Sequence, residues 1–178
     1  MSGLLIALAG LPGTGKTTVA RELVRMLAAR TPGGRAAFHL RIDTIEQILR
    51  ATGAFGPDLG PAGYCVAHGV AEDNLRLGAV VISDCVNPLR ISRDGWAAVA
   101  ARAGVPILDV EVICSDAAEH RRRVETRRAD IAGLVMPTWQ QVVDRPYDPW
   151  DRPRLVIDSA HQSATGVAAV IAAAVHPV

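Results

Sequence analysis

Shortly after its start the chain reads Gly10-Leu11-Pro12-Gly13-Thr14-Gly15-Lys16-Thr17, and the rest of the sequence can be interpreted outward from this segment. The segment matches the phosphate-binding P-loop pattern G-x-x-x-x-G-K-[ST] at every position. The apolar run 4–9 before it is typical of a strand buried on both faces, and apolar residues recur at helical spacing in 19–27 after it. Because the motif requires a strand before it and a helix after it, the sequence predicts a nucleoside triphosphate site.

The glycines and the polar residues of this loop have separate physical roles. Gly13 and Gly15 let the backbone turn tightly and approach phosphate oxygens with no Cβ in the way. Backbone N–H groups at the start of the following helix point at the same spot, where the helix dipole also favours an anion. We expect Lys16 to reach the β- and γ-phosphates and the Thr17 hydroxyl to bind Mg²⁺. The predicted nucleotide-binding residues of the loop are Gly10, Pro12, Gly13, Thr14, Gly15, Lys16, Thr17 and Thr18.

Length and composition indicate a single domain, 1–178, that is large enough to bury a core. The formal net charge of +1 gives no global field for nucleic acid or an acidic membrane, so we expect neither as a partner. No apolar run approaches the ~20 residues of a transmembrane helix, and the first residues lead directly into a strand. The three cysteines form no C-x-x-C pair and suit a reducing compartment. We therefore expect a soluble, cytoplasmic protein.

Apolar segments alternate with helical patterns along the chain. The predicted strands are 4–9, 36–42, 79–84, 107–114 and 154–158. The first predicted helix runs from the P-loop to about Arg30, where the segment 31–34 breaks it. The other predicted helices are 44–50, 64–77, 96–103, 116–128, a short one from 137, and 166–175. Ser115 is the predicted N-cap of the helix 116–128. Five strands that alternate with helices predict an α/β fold, in which a parallel sheet is covered on both faces to give three αβα layers.

Two carboxylates follow predicted strands, and ligands of open α/β sheets bind beyond the carboxyl ends of the strands. Asp43 ends the second strand, where it can accept the proton of an attacking hydroxyl or bind an acceptor; the alternative is that it caps the following helix. Asp84 ends the third strand, as a Walker B carboxylate does when it holds Mg²⁺; the alternative is an Asp that caps the next loop. The predicted metal ligands are therefore Thr17 and Asp84.

An arginine-rich segment follows the fourth strand, in a predicted lid over about 116–137. Arg123 and Arg127 are four residues apart and would share a helix face. Guanidinium groups suit the charge that spreads over a transferring phosphoryl group. We expect Arg127 to act in catalysis and Arg123 to bind the nucleotide, while a solvated face accounts for Arg121, Arg122 and Arg128.

Several other side chains have two interpretations. Arg41 and the Tyr64/His68 pair can line an acceptor pocket, although packing in a half-buried position is favoured for His68. Core packing is also favoured, over stacking on a bound base, for the aromatic residues after the lid, which are Trp139, Tyr147 and Trp150.

In this layout the chain resembles the small P-loop kinases, and it is most similar to the AAA-domain kinase-like ATPases near adenylylsulfate kinase, gluconate kinase and chloramphenicol phosphotransferase. The resemblance rests on the P-loop, the Asp after each of strands 2 and 3, the arginine-rich lid and the late strand 154–158. It implies a parallel sheet of order 2-3-1-4-5, ATP with Mg²⁺, and transfer of the γ-phosphate to a hydroxyl group of a small acceptor. By position, Lys16 and Thr17 match the nucleotide and metal ligands, Asp43 the acceptor residue, and Arg127 or a neighbour the lid arginine.

The acceptor itself is not named by the sequence, because the region 52–74 matches no substrate signature. Three functions stay open: a small-molecule kinase, a nucleoside or nucleotide kinase, and a nucleotide-binding ATPase switch without an acceptor. The sequence contains no Asn-Lys-x-Asp motif for guanine, and its D-x-x-G at 130–133 lies in the predicted lid rather than after a strand. A GTPase switch is therefore disfavoured.

Overall fold

A sheet of five parallel strands organises the structure, a computed structural model that describes residues 2–30, 36–56 and 58–175. The strands are β1 (Leu4–Ala9), β2 (Ala37–Arg41), β3 (Val80–Asp84), β4 (Ile107–Ile113) and β5 (Leu155–Asp158). Their order in the sheet is β2-β3-β1-β4-β5, which confirms the order implied by the resemblance. In the register, Leu8 lies opposite Asp84 and Ala9 opposite Glu111, so the loop after β1 leaves the middle of the carboxyl edge of the sheet.

Helices cover both faces of this sheet, as the three-layer prediction requires. They are α1 (Lys16–Arg30), α2 (Ile42–Ala51), α3 (Ala62–Arg76), α4 (Arg90–Ala103), α5 (Ala117–Thr126), α6 (Trp139–Val143) and α7 (Ala164–Ala174). Because side chains alternate along a strand, Ile6 packs with α1 and α7 in one buried cluster, while Leu5 packs with α3 and α4 in another. The continuous apolar run of β1 is therefore explained by burial on both faces.

The N-cap residues of two helices differ from the sequence prediction. The second strand ends at Arg41 rather than Ile42, and Arg41 occupies the N-cap position of α2 without a capping side chain. Asp43 consequently lies in the first turn of α2, and the alternative that it caps this helix is wrong. Ser115 does not cap α5 either, because its hydroxyl and its N–H both bond to Asp158. Asp116 is the cap, since its Oδ1 accepts from the N–H groups of the second and third helical residues at 2.9 and 3.1 Å.

The remaining boundaries agree with the prediction to within a few residues, apart from α4, which begins at Arg90 rather than Trp96. The predicted breaker 31–34 lies outside the described residues. In the described part of the chain, no helix combines the length and the apolar content needed to cross a membrane.

Candidate functional site

The P-loop adopts the backbone that its glycines predict. Gly10, Gly13 and Gly15 have φ angles of +134°, +88° and +93°, a region that other residues rarely enter. At Gly10 the neighbouring chain also excludes a side chain, because an added Cβ would overlap the carbonyl oxygen of Val112 on β4. At Gly13 an added Cβ would lie 2.6 Å from Cγ2 of Val124 on α5. The loop is thus confined by β4 and by α5.

Three side chains from distant parts of the sequence bond to the loop or to the strand that leads into it. His120 Nε2 on α5 donates to the carbonyl oxygen of Pro12 at 2.8 Å, and its ring packs edge-on against Trp139 at 5.2 Å. The Ser159 hydroxyl after β5 lies 2.9 Å from the carbonyl oxygen of Thr14. Asn87 Nδ2 donates to the carbonyl oxygen of Leu8 at 2.9 Å. Sequence reasoning missed all three, because each partner is more than 75 residues away along the chain.

Lys16 is buried at the start of α1, with 7% of its surface exposed. Its Nζ donates to the carbonyl oxygen of Leu11 at 2.9 Å, so the P-loop itself provides a partner for the ammonium group. Burial lowers the pKa of Lys16 from 10.5 to about 8, and the nearby carboxylates of Asp84 and Asp43 offset part of this shift. A buried ammonium group whose direct partner is a neutral carbonyl oxygen is well suited to bind phosphate.

Asp84 lies beside Thr17 and Lys16, where the prediction of a metal site requires it. Burial by itself raises the pKa of Asp84, but the hydrogen bond from His39, the charge of Lys16 and the hydrogen bond from Thr17 together bring it below the ordinary value. The carboxylate is therefore ionised at neutral pH. The strand-end position of Asp84, which the sequence predicted, places it opposite Leu8 and Arg41.

These oxygens fit a magnesium ion. Thr17 offers a hydroxyl and Asp84 an ionised carboxylate, and the hydroxyl lies close enough to the carboxyl group to lower its pKa. Mg²⁺ prefers oxygen ligands and keeps several from phosphate and water. In the described residues no group of three or more His, Cys, Asp and Glu side chains could hold a metal by itself. A cation bound here would accordingly take most of its ligands from the nucleotide and from water.

Asp43 and Arg41 face different surroundings although they are two residues apart. Asp43 lines a cavity together with Lys16 and Asp84. Arg41 is 6% exposed, and its two Nη atoms each donate at 3.0 Å to the carboxylate of Asp130 in the predicted lid. Arg21 on α1 donates to the same carboxylate at 2.6 Å. The expectation that Arg41 lines an acceptor pocket is therefore wrong, because Asp130 covers its guanidinium.

The two lid arginines selected from the sequence also have different surroundings. The guanidinium of Arg123 is held by Glu119 at 2.7 Å and by the hydroxyl and carbonyl oxygens of Ser159 at 3.0 and 2.9 Å. Arg127 lies beyond the end of α5 in extended backbone, so the prediction that the two share a helix face is wrong. Arg127 lines two cavities beside Lys16, and its guanidinium has no hydrogen-bond or ion-pair partner within the described part of the chain. Of the two arginines, Arg127 is therefore the one whose guanidinium is not already held by protein groups.

Three cavities follow one another around the P-loop. The first, of about 230 Å³, lies beside Thr18, Ser159 and Val167. The second, of about 410 Å³, continues along the loop to Lys16 and Arg127. The third, of about 790 Å³, also borders Lys16 and is lined by residues that include Asp43 and Asp84. Lys16, Thr17 and Arg127 border both of the larger cavities.

Comparisons with known proteins agree with this geometry. The sequence profile of a family described as AAA domain matches residues 5–146, most of the chain. The chain belongs to the AAA domain family. It is 25% identical over 176 residues to the probable adenylyl-sulfate kinase of Aeropyrum pernix, a match that covers 88% of this chain and 84% of the relative.

Two solved structures resemble this AAA domain protein along almost its whole length. The APS kinase CysC of Mycobacterium tuberculosis, in complex with AMPPNP and APS, has a TM-score of 0.75 at 22% identity and covers 99% of both chains. Kti12 of Chaetomium thermophilum, in complex with ADP-AlF3, has a TM-score of 0.70 at 22% identity, over 97% of this chain and all of the other. The fold and the family together confirm that this chain is a small P-loop kinase by architecture.

The remaining candidates of the AAA domain protein pack as structural residues, with one exception. His68 packs edge-on against Trp96 at 4.5 Å, and burial lowers its pKa, which agrees with the packing interpretation. Tyr147 and Trp150 pack against the guanidinium of Arg93, which lies 4.4 Å from the centre of the Trp150 ring. The exception is Tyr64, which lines the largest cavity.

Proposed function

We propose that this protein is an ATP- and Mg²⁺-dependent phosphotransferase that moves the γ-phosphate of ATP to a hydroxyl group of a small molecule. The observation that carries the proposal is the cavity of about 790 Å³, which shares Lys16, Thr17 and Arg127 with the cavity of about 410 Å³ beside the P-loop. Cavities of about 300–1,000 Å³ hold small organic ligands, and water alone needs no such space. The relatives support the same class of reaction, since the Aeropyrum protein is described as a probable adenylyl-sulfate kinase and the Mycobacterium structure holds AMPPNP with APS.

Three charged residues that line the cavity have a role in this reaction. The acceptor oxygen forms a bond to the γ-phosphorus while the bond from that phosphorus to the β–γ bridging oxygen breaks, and ADP leaves with the electron pair. Asp43 orients the acceptor hydroxyl and accepts its proton. Lys16 and Arg127 border both the nucleotide side and the acceptor side, and they offset the negative charge that develops on the transferring group.

Thr17 and Asp84 are the residues that would hold Mg²⁺. Bound there with the β- and γ-phosphates, the ion would neutralise charge on the nucleotide. Gly10, Pro12, Gly13, Thr14, Gly15, Thr18 and Arg123 complete the proposed nucleotide site, with Arg123 acting through its position beside the smaller cavities.

The proposal is tested by measuring ADP formation from ATP and Mg²⁺ against a panel of sugars, nucleosides, adenylylsulfate and hydroxyl-bearing antibiotics. We expect one acceptor to raise turnover and to gain a phosphoryl group by mass spectrometry. Asp43→Asn, which keeps the shape of the side chain, should lower kcat with that acceptor by about 100-fold or more. Asp73→Asn, an exposed position on α3, is the matched control.

Two outcomes would contradict the assignment. Full activity in Asp43→Asn would exclude a role for this carboxylate in the transfer. Slow ATP hydrolysis that no acceptor alters, and that Asp43→Asn leaves unchanged, would instead favour the ATPase switch, the class of function in which a nucleotide changes the shape of the protein.

A further inference from the structure

His39 is a site residue that neither the motif nor the resemblance identifies. It lies on β2, next to β3, and its Nε2 is 2.9 Å from Oδ2 of Asp84. Because an ionised carboxylate only accepts hydrogen bonds, Nε2 carries the proton and donates. The side chains of His39 and Asp84 are only 18% and 4% exposed, so water competes little for this hydrogen bond.

Asp84 has a second possible partner on β2, which is Arg41. His39 and Arg41 are two residues apart on one strand, so their side chains point to the same face of the sheet, and Arg41 is the residue directly opposite Asp84. The guanidinium of Arg41 nevertheless pairs with Asp130. Asp84 therefore receives a hydrogen bond from an imidazole rather than an ion pair from a guanidinium on this side.

A hydrogen bond to one carboxylate oxygen fixes the rotation of the whole group, and the position of the second oxygen with it. Two other polar groups act on the carboxyl group of Asp84, since the charge of Lys16 and the hydroxyl of Thr17 both lower its pKa, but the hydrogen bond of 2.9 Å comes from His39. Partners of this kind, which orient a metal ligand without touching the metal, commonly change metal affinity by about 10–100-fold when they are removed.

We propose that His39 is a positioning residue for the divalent cation: its Nε2–H holds the Asp84 carboxylate in the orientation in which Asp84 and Thr17 receive the cation of the metal–nucleotide complex. The inference rests on the proposed ATP- and Mg²⁺-dependent function of the same site. It adds to that function His39, a residue of the edge strand β2 that is not among the lining residues of the two larger cavities.

The test measures binding of Mn²⁺, as a spectroscopic substitute for Mg²⁺, to the ADP-bound protein by the electron paramagnetic resonance signal of free Mn²⁺. His39→Leu removes the hydrogen-bond donor. In His39→Asn the side chain is shorter, so its amide nitrogen is too far from Asp84 to replace Nε2. We expect both to raise the Kd for Mn²⁺ by about 10-fold or more. His39→Gln, whose amide nitrogen can reach the position of Nε2, should stay within about threefold of wild type.

A second measurement separates positioning from a merely structural role. The Kd for ADP in excess EDTA should be the same in the wild type and the three variants, because the metal-free phosphates contact the P-loop and not His39. Weaker metal-free binding in all three variants, or a Gln variant as impaired as the Leu variant, would overturn the inference. So would Leu and Asn variants that bind Mn²⁺ as the wild type does.

The same experiment distinguishes this inference from the proposed function. Failure of the wild type to bind ADP with Mn²⁺ would contradict the proposed function itself. Tight binding by the wild type together with an unchanged Kd in His39→Leu or His39→Asn would leave the function intact and remove only the role of His39. If His39→Leu does not fold, the Asn and Gln variants carry the comparison.

Discussion

The ion pair between Arg41 and Asp130 connects the end of β2 to the loop that follows α5, and its contribution to stability can be tested directly. Arg41 is 6% exposed and donates two parallel hydrogen bonds of 3.0 Å, whereas Asp130 is 40% exposed. Loss of the carboxylate would leave a buried guanidinium with Asp43 as its nearest carboxylate at 3.8 Å. A buried charge without its partner is costly, because water cannot replace the lost contact.

We expect Asp130→Asn to lower the free energy of unfolding by about 1–2 kcal/mol. A hydrogen bond to a charged group contributes about 1.5–3 kcal/mol, and solvent around the exposed side of Asp130 reduces that figure. If the free energy of unfolding falls by about 2 kcal/mol per molar urea, the urea concentration at the midpoint of unfolding should fall by about 0.5–1 M. Urea unfolding followed by tryptophan fluorescence measures this shift.

A double-mutant cycle assigns the effect to the pair. Combining Asp130→Asn with Arg41→Gln should give a coupling energy of about 1 kcal/mol or more. The matched control is the exposed pair of Arg121 and Glu125 on α5, for which about 0.3–0.5 kcal/mol is expected. Equal coupling energies in the two cycles would refute the argument that burial of Arg41 strengthens the pair.

The pH dependence of stability gives a second check that the contribution of the Arg41–Asp130 pair is electrostatic. Hydrogen bonds from Arg41 and then Arg21 hold the pKa of Asp130 far below its ordinary range. A carboxyl whose pKa is lower in the folded state stabilises fully above its unfolded pKa of about 3.9 and progressively less as the pH falls toward the folded value. The difference in stability between wild type and Asp130→Asn should therefore be constant from about pH 5 to pH 8 and shrink below about pH 4. An unchanged difference at pH 3 would contradict this origin.

Two further predictions concern the P-loop. Lys16→Met should abolish Mg·ATP binding in calorimetry yet stabilise the nucleotide-free protein by about 1–3 kcal/mol at pH 7, since burial disfavours the ammonium. Between pH 8 and 10.5 the unfolded wild-type chain binds more protons at Lys16 than the folded chain does, so the stability of the wild type should rise with pH in this range. The difference in stability between Lys16→Met and the wild type should therefore become smaller there. A variant that is no more stable than the wild type at pH 7 would contradict this prediction. Gly10→Ala should cost about 3 kcal/mol or more because its Cβ overlaps Val112, whereas Gly15→Ala, with open space around it, should cost only about 1–2 kcal/mol for its positive φ. Equal losses in thermal unfolding would show that backbone strain alone accounts for both.

Much of the frame of the site could be predicted, because it depends on local chain geometry. The P-loop needs only a strand, glycines at positions of positive φ and a helix start, and all three are set by neighbouring residues. Asp84 could be placed near Thr17 because it ends a buried strand, and parallel strands bring their carboxyl ends to one edge. The exact cap of α5 could not be predicted, since Ser115 and Asp116 are both good caps and the choice between them depends on Asp158, 43 residues away.

The sequence by itself determined the fold class, the P-loop and the edge of the sheet at which the P-loop and Asp84 lie, since short-range backbone preferences and strand burial depend on adjacent residues. Only the tertiary structure decided which partner each long polar side chain takes. Arg41 pairs with Asp130, 89 residues away, and His39 bonds to Asp84, 45 residues away. Spacing along the chain shows which residues share a face, but a flexible charged side chain chooses among all the partners that folding brings within reach, and burial then fixes that choice.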